Sequence, residues 1–165
     1  MADQNEQAAE NQEQELQPLT IHGQYIKDLS FEVPNSPGIY GRMMQEQPDV
    51  NVNVDVDAQK LTDTQFEVIV KIRADCKTKE DVAFICELAY GGIFEINVPQ
   101  EHLEPMLLIE CPRMLFPFAR HIIANTTRDG SFPPMMLNPV DFAGMYRQRI
   151  EALAAEQEAA GETKQ

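Results

Sequence analysis

Eight residues, VNVNVDVD, constrain this chain more than any other stretch. Val50, Val52, Val54 and Val56 alternate with Asn51, Asn53, Asp55 and Asp57. A period of two marks a strand with one buried and one solvated face, the pattern of antiparallel sheet. Three more segments follow the same rule. Tyr25, Leu29, Phe31 and Val33 share one face of the first, with Ile26, Asp28, Ser30 and Glu32 on the other. Phe66, Val68, Val70, Ile72 and Ala74 alternate with Glu67, Ile69, Lys71, Arg73 and Asp75. Val82, Phe84, Cys86, Leu88 and Tyr90 oppose Ala83, Ile85, Glu87 and Ala89. Four strands are therefore expected.

The links between them suggest their order. AQKLTDT and KTKED are short and polar, so strands two, three and four read as a meander of hairpins. The first strand joins through PNSPGIYGRMMQEQP, where Pro34, Pro37, Gly38, Gly41 and Pro48 predict a long loop without regular structure. Gly91-Gly92 predicts a bulge or bend in the fourth strand. After Val98 the period becomes helical. One helix is expected to start at Pro112, with Leu115, Phe118 or Ala119, Ile122 and Ile123 inward, and to stop at Asp129-Gly130. A second is expected from Pro139 and Asp141, with a stripe of Phe142, Met145, Tyr146, Ile150 and Leu153. The predicted class is α+β, a four-stranded antiparallel sheet with two main helices on one side.

Charge narrows the partners. The 165 residues carry 27 acids against 13 bases, a net of −14, which argues against nucleic acid. Residues 1–18 hold five acids and no base, and 151–165 hold Glu151, Glu156, Glu158 and Glu162 against Lys164. Both ends are poor in large apolar groups, so a disordered acidic tail is expected over 1–18, and a helix end running into another over 151–165. The folded domain is assigned to 19–150. No apolar run is long enough to span a membrane, and the start lacks the pattern of a secretory signal, so the expected location is the cytoplasm.

Chemistry finds little to hold. Cys76, Cys86 and Cys111 form no CxxC pair and read as reduced core thiols. His22, His102 and His121 have no metal-ligand spacing, so neither metal nor cofactor is expected. Phosphate-binding glycine motifs are absent from the sequence. A hydrolase would require Cys111 and His121 to meet as nucleophile and base. Asp55 and Asp57 share a strand face, but their alternation with valines reads as solvated surface.

Two features ask for more. Soft apolar side chains crowd the loops: Ile39, Tyr40, Met43 and Met44 in the first, Phe132, Met135, Met136 and Leu137 in GSFPPMMLNP. Methionine-rich surfaces adapt to many partners. If the loops only cap the core, that signal vanishes. The other feature is the outward sheet face, where Asp28, Glu32, Ile85 and Glu87 would form an acidic patch around one apolar residue. Such a patch suits a basic partner. An acidic adaptor recruiting basic proteins through its tails is a competing reading.

Four blocks, KDLSFEVPNSP (27–37), FICELAYGGIFEI (84–96), CPRMLFPFAR (111–120) and GSFPPMMLNPVDF (130–142), together resemble the SecB family of bacterial protein-export chaperones. The resemblance covers about 19–150. It implies a tetramer built as a dimer of dimers, acting as an ATP-independent holdase. Such a holdase binds unfolded precursors and delivers them to the ATPase SecA. By the same resemblance Asp28, Glu32, Ile85 and Glu87 would dock the basic, zinc-bearing tail of SecA. Cys86, Leu88 and Tyr90 fall where the family builds subunit contacts. Client contacts are expected at Ile39, Tyr40, Met43, Met44, Phe132, Met135, Met136 and Leu137.

Overall fold

The computed structural model describes residues 17–162, with the side chains of 160–162 left aside. Most of the first expected tail, 1–16, and only 163–165 of the second lie outside the described residues; 151–162 continue a helix rather than a tail. Four long strands dominate: β1 (Leu19–Glu32), β2 (Asp49–Lys60), β3 (Gln65–Lys77) and β4 (Val82–Ile96). They form one antiparallel sheet in the order β1-β4-β3-β2. The meander of β2, β3 and β4 and the longer return of β1 are as the loop lengths predict.

One face of this sheet is covered by helices and makes the core. Val68, Val70, Ile72 and Ala74 of β3 and Phe84, Cys86, Leu88 and Phe94 of β4 are buried there beneath Leu115, Ala119 and Ile123. Burying each large aliphatic or aromatic side chain is worth roughly 1.5–3 kcal/mol, so this layer supplies most of the driving force. On β2 only Val56 is buried; Val50 and Val52, predicted inward, stay exposed because the helical layer does not reach that end of the edge strand.

The period of two misplaces part of β1. Its register against β4 slips between Ile21 and Gly23 and again between Ile26 and Asp28, so His22 and Lys27 are extra residues. Each extra residue reverses the alternation of faces. Tyr25, predicted on the face of Leu29 and Phe31, therefore pairs with Gly91 on the outer face, and Ile26 pairs with Tyr90 on the inner one. The bulges lie in β1, not at Gly91-Gly92. Those glycines serve space instead: a Cβ on Gly92 would sit 2.7 Å from the Phe94 ring and 2.9 Å from Leu115.

Two further expectations change. The first loop contains a short helix, α1 (Gly38–Met43), because the full burial of Ile39 offsets the low helix propensity of Gly38 and Gly41. The first long helical run starts at Gln100 rather than Pro112. It comprises α2 (Gln100–Pro105), a π-helical turn (Met106–Glu110) and α3 (Cys111–Asp129). Pro112 lacks an N–H and its ring would press on the carbonyl four residues back, a conflict a wider turn relieves. Cys111 N–H accordingly donates to Met106 O, five residues earlier. On α3 it is Ala119 that is buried, while Phe118 is 52 % exposed.

Helix α4 (Phe142–Glu162) starts as predicted: Asp141 caps it through Oδ1, which accepts from Gly144 N–H at 3.0 Å. Phe142 is buried, but Ile150 and Leu153 are exposed, so the stripe anchors the helix only at its base.

Candidate functional site

The outer sheet face is assembled by register. Glu32 of β1 faces Ile85 of β4, Ser30 faces Glu87, and Asp28 faces Ala89. Because paired residues share a face, Asp28, Glu32, Ile85 and Glu87 do come together on one surface. Glu87 pairs with Arg73 of β3, and Lys71 with Asp57 of β2. Among the described residues Asp28 and Glu32 have no ion-pair partner. The surface is a bare acidic margin along β1 beside a charge-laced centre.

One turn of register further along, the same face holds a feature the sequence reading missed. Glu67, placed on the solvated side by alternation, is only 5 % exposed. Its carboxylate accepts from Lys27 Nζ at 2.9 Å, from the Tyr25 hydroxyl and from Gln59 Nε2. The Lys27 ammonium, followed by the Tyr25 hydroxyl, holds Glu67 below the usual carboxylate range. Burial, then the hydrogen bond to Glu67, pushes Tyr25 up to about 12. The bulge at Lys27 makes this cluster, since it turns Tyr25 outward. The network ties β1, β2 and β3 across β4.

The apolar loops also meet, on the helical side. Tyr40 Oη donates to Gly130 O at 3.0 Å, and the Tyr40 and Phe132 rings lie 5.3 Å apart. Phe132 also contacts Phe84 at 4.9 Å and Phe31 at 6.3 Å, so the floor is an aromatic cluster. Gly130 belongs to it because a Cβ there would strike the Phe31 ring at 2.3 Å. The segment after α3 is pinned by Thr127, fully buried, whose hydroxyl donates to Ile123 O and accepts from Met135 N–H at 2.9 Å.

The eight loop residues therefore divide. Ile39, Phe132 and Leu137 are buried and cap the core, and Tyr40, Met43 and Met135 are half-buried. Met44 is 89 % exposed and Met136 62 %. The loop surface thus has a buried floor and two exposed methionines as its lips.

Cys86, Leu88 and Tyr90 are buried inside this chain, under α3. What lies open around them is a patch the sequence reading did not single out. Phe118 stacks on Tyr90 with centroids 6.3 Å apart, and Ile26 is Tyr90's register partner. Ile21, Ile26, Leu29, Met114 and Phe118 are all exposed. The bulges of β1 and the outward side of Phe118 create that patch.

Catalysis gains nothing from the geometry. Cys111 is fully buried and its thiol is pushed up to about 12 by burial, where a nucleophile would need the opposite. His121 lies ten residues along α3, about 15 Å by helical rise, and its ring is 2.7 Å from Asn125 on the exposed side. The Cys–His pair is not formed. Among the described residues no group of three His, Cys, Asp or Glu could hold a metal, and no helix is long and apolar enough to cross a membrane.

Comparisons with known proteins agree with this fold. The family described as "Preprotein translocase subunit SecB" matches residues 11–153. A "Protein-export protein SecB" of Bradyrhizobium sp. is 55% identical over 140 residues, 84% of this chain and 86% of that one. The one from Rhodospirillum rubrum is 53% identical over 145 residues, covering 88% and 89%. Among solved structures, a Mycobacterium tuberculosis SecB-like chaperone in complex with a peptide from an antitoxin shares the fold. Its TM-score is 0.57 at 16% identity, with 74% of this chain and 91% of that chain covered. With the family matched over most of its length, the chain belongs to the SecB protein-export chaperones, a family of chaperones and not of enzymes.

Proposed function

We propose that this chain is an ATP-independent holdase that keeps unfolded secretory precursors soluble in the cytoplasm and passes them to SecA. The observation that carries the client half is the apolar surface where α1 meets the segment after α3, which we read as the client cleft. Its aromatic floor is rigid, and Met44 and Met136 stand free beside it. Burying one such side chain is worth roughly 1.5–3 kcal/mol. A micromolar complex needs about 8 kcal/mol, after ordering costs. Several contacts must act together, which suits an extended chain lying along the cleft and over Tyr40, Met43 and Met135. Ile39, Phe132 and Leu137 support this surface from beneath.

The outer face supplies the docking half. Asp28, Glu32 and Glu87 line the same face as Ile85, a surface for the basic, zinc-bearing tail of SecA; opposite charge steers the encounter and Ile85 adds apolar area. Assembly as a homotetramer, a dimer of dimers, is the reading that best uses the exposed patch of Ile21, Ile26, Leu29, Met114 and Phe118. Cys86, Leu88 and Tyr90 act on that interface by packing beneath it. The acidic ends fall outside this domain.

Light-scattering mass, with and without an unfolded, slow-folding secretory precursor, tests the whole reading. A particle near four times 18.7 kDa that takes up precursor without ATP is the expected result. A monomer that leaves the precursor to aggregate overturns it.

A further inference from the structure

The outer face carries its own cations. Lys71 and Arg73 run along β3, through the middle of the acidic surface, and they point their charges differently. Lys71 pairs with Asp57 of β2 and leaves the docking residues alone. Arg73 pairs with Glu87 of β4, and its Nε also lies 3.8 Å from Asp75 Oδ1. Next to this pair the register sets Ala89 between Asp28 and Lys71. The small methyl of Ala89 leaves a shallow depression of about 340 Å³, rimmed by Asp28, Asn53, Asp55, Lys71, Arg73 and Glu87.

We infer that this depression takes one cationic side chain of the docking segment, and that Arg73 occupies Glu87 as an internal competitor until docking. The inference rests on the docking reading above and names its specificity residue. Charge complementarity fixes the occupant. A Lys or Arg seated over Ala89 would lie between Asp28, which has no ion-pair partner among the described residues, and Glu87. It would take Glu87 from Arg73, and Arg73 would turn to Asp75, already within reach. Binding is thereby an exchange of one guanidinium partner for another, which lowers affinity and speeds release. A segment without a cation at that register would face Arg73 unrewarded, so the exchange also selects.

The test titrates a zinc-loaded peptide of the basic SecA tail into the full-length protein at low ionic strength. Exposed ion pairs are worth little, so Arg73→Ala should tighten binding by about two- to five-fold. That gain should disappear when Glu87→Gln is already present. Lys71→Ala removes the same charge without touching Glu87, so any gain from it should persist beside Glu87→Gln. Ala89→Leu, which fills the depression, should weaken the peptide while thermal melts stay in place; Arg73→Gln gives a second route to the Arg73 result. An unchanged affinity in Arg73→Ala, or an equal gain with and without Glu87, overturns the competitor. Unchanged binding by Ala89→Leu overturns the subsite. Absence of any peptide binding by the wild-type protein would instead bring down the docking reading itself.

Discussion

The outer sheet face and the loop cleft were both visible in the sequence as candidate surfaces, yet they fared differently once folded. On the sheet, each of Asp28, Glu32, Ile85 and Glu87 faces the side its alternation assigns. In the loops, three of eight residues turned inward and became core. A strand converts sequence parity into a face, so orientation can be counted. A loop has no such period, and its apolar residues divide between floor and lips according to tertiary packing alone. The surface on strands is rigid and electrostatic; the one on loops is apolar and adaptable.

Predictions sharpen this contrast, and the strongest concerns the cleft floor. Phe132→Ala should cost about 3–5 kcal/mol in urea unfolding, because it opens a hole among Phe31, Tyr40 and Phe84. Met44→Ser with Met136→Ser should move stability by less than about 0.5 kcal/mol per site while weakening precursor capture. If the lips proved as costly as the floor, the division of the loop would be wrong.

Next in size is the buried carboxylate beneath the outer face. Glu67→Ala leaves Lys27, Tyr25 and Gln59 without their acceptor and should cost about 2–3 kcal/mol. Since folding lowers the Glu67 pKa, its contribution is whole above the ordinary 4.5 and is lost as pH falls through the lower folded value. The variant should therefore show a flatter acid limb in pH-dependent melts. Tyr25 has the opposite sign: raised from 10.0 to about 12, it favours the fold below pH 10 and loses that contribution as pH rises toward 12. Tyr25→Phe should flatten the alkaline limb.

A docking variant comes third. Glu87→Lys should reduce affinity for the SecA tail at least about tenfold, or 1.4 kcal/mol, with precursor capture intact. Smallest is a backbone effect beside the cleft. Ser131 follows α3 with φ 65°, a left-handed conformation that costs a non-glycine residue about 1 kcal/mol. Ser131→Gly should raise stability by up to that amount in the same urea assay. An unchanged or lower midpoint would show that Ser131 carries no strain.

Much of the fold was legible because long strands repeat their signal many times. Four strands, the meander of β2, β3 and β4, the helical cover and the Asp141 cap all follow from period, loop length and capping chemistry, whereas the place of β1 beside β4 does not. What failed has local causes. A single extra residue at Lys27 swapped Tyr25 and Ile26, and no count of alternation reveals where a bulge falls. Pro112 read as the start of a helix, whereas a π-helical turn before it lets a run that begins at Gln100 continue through it. Glu67 read as solvated because its burial depends on three partners from two other strands, Tyr25 and Lys27 of β1 and Gln59 of β2. The apolar patch of Ile26 and Phe118 arises from the misplaced β1 face and from a choice between Phe118 and Ala119 that the pattern leaves open, which is why the family resemblance, and not the pattern, suggested an assembly.

The separation of the two surfaces is tested most directly by precursor capture in the Asp28→Arg/Glu87→Lys double variant, read as light-scattering mass. The account predicts the same captured mass as the wild-type protein, because both substitutions sit on the sheet face opposite the cleft. Loss of capture in a folded double variant would contradict it.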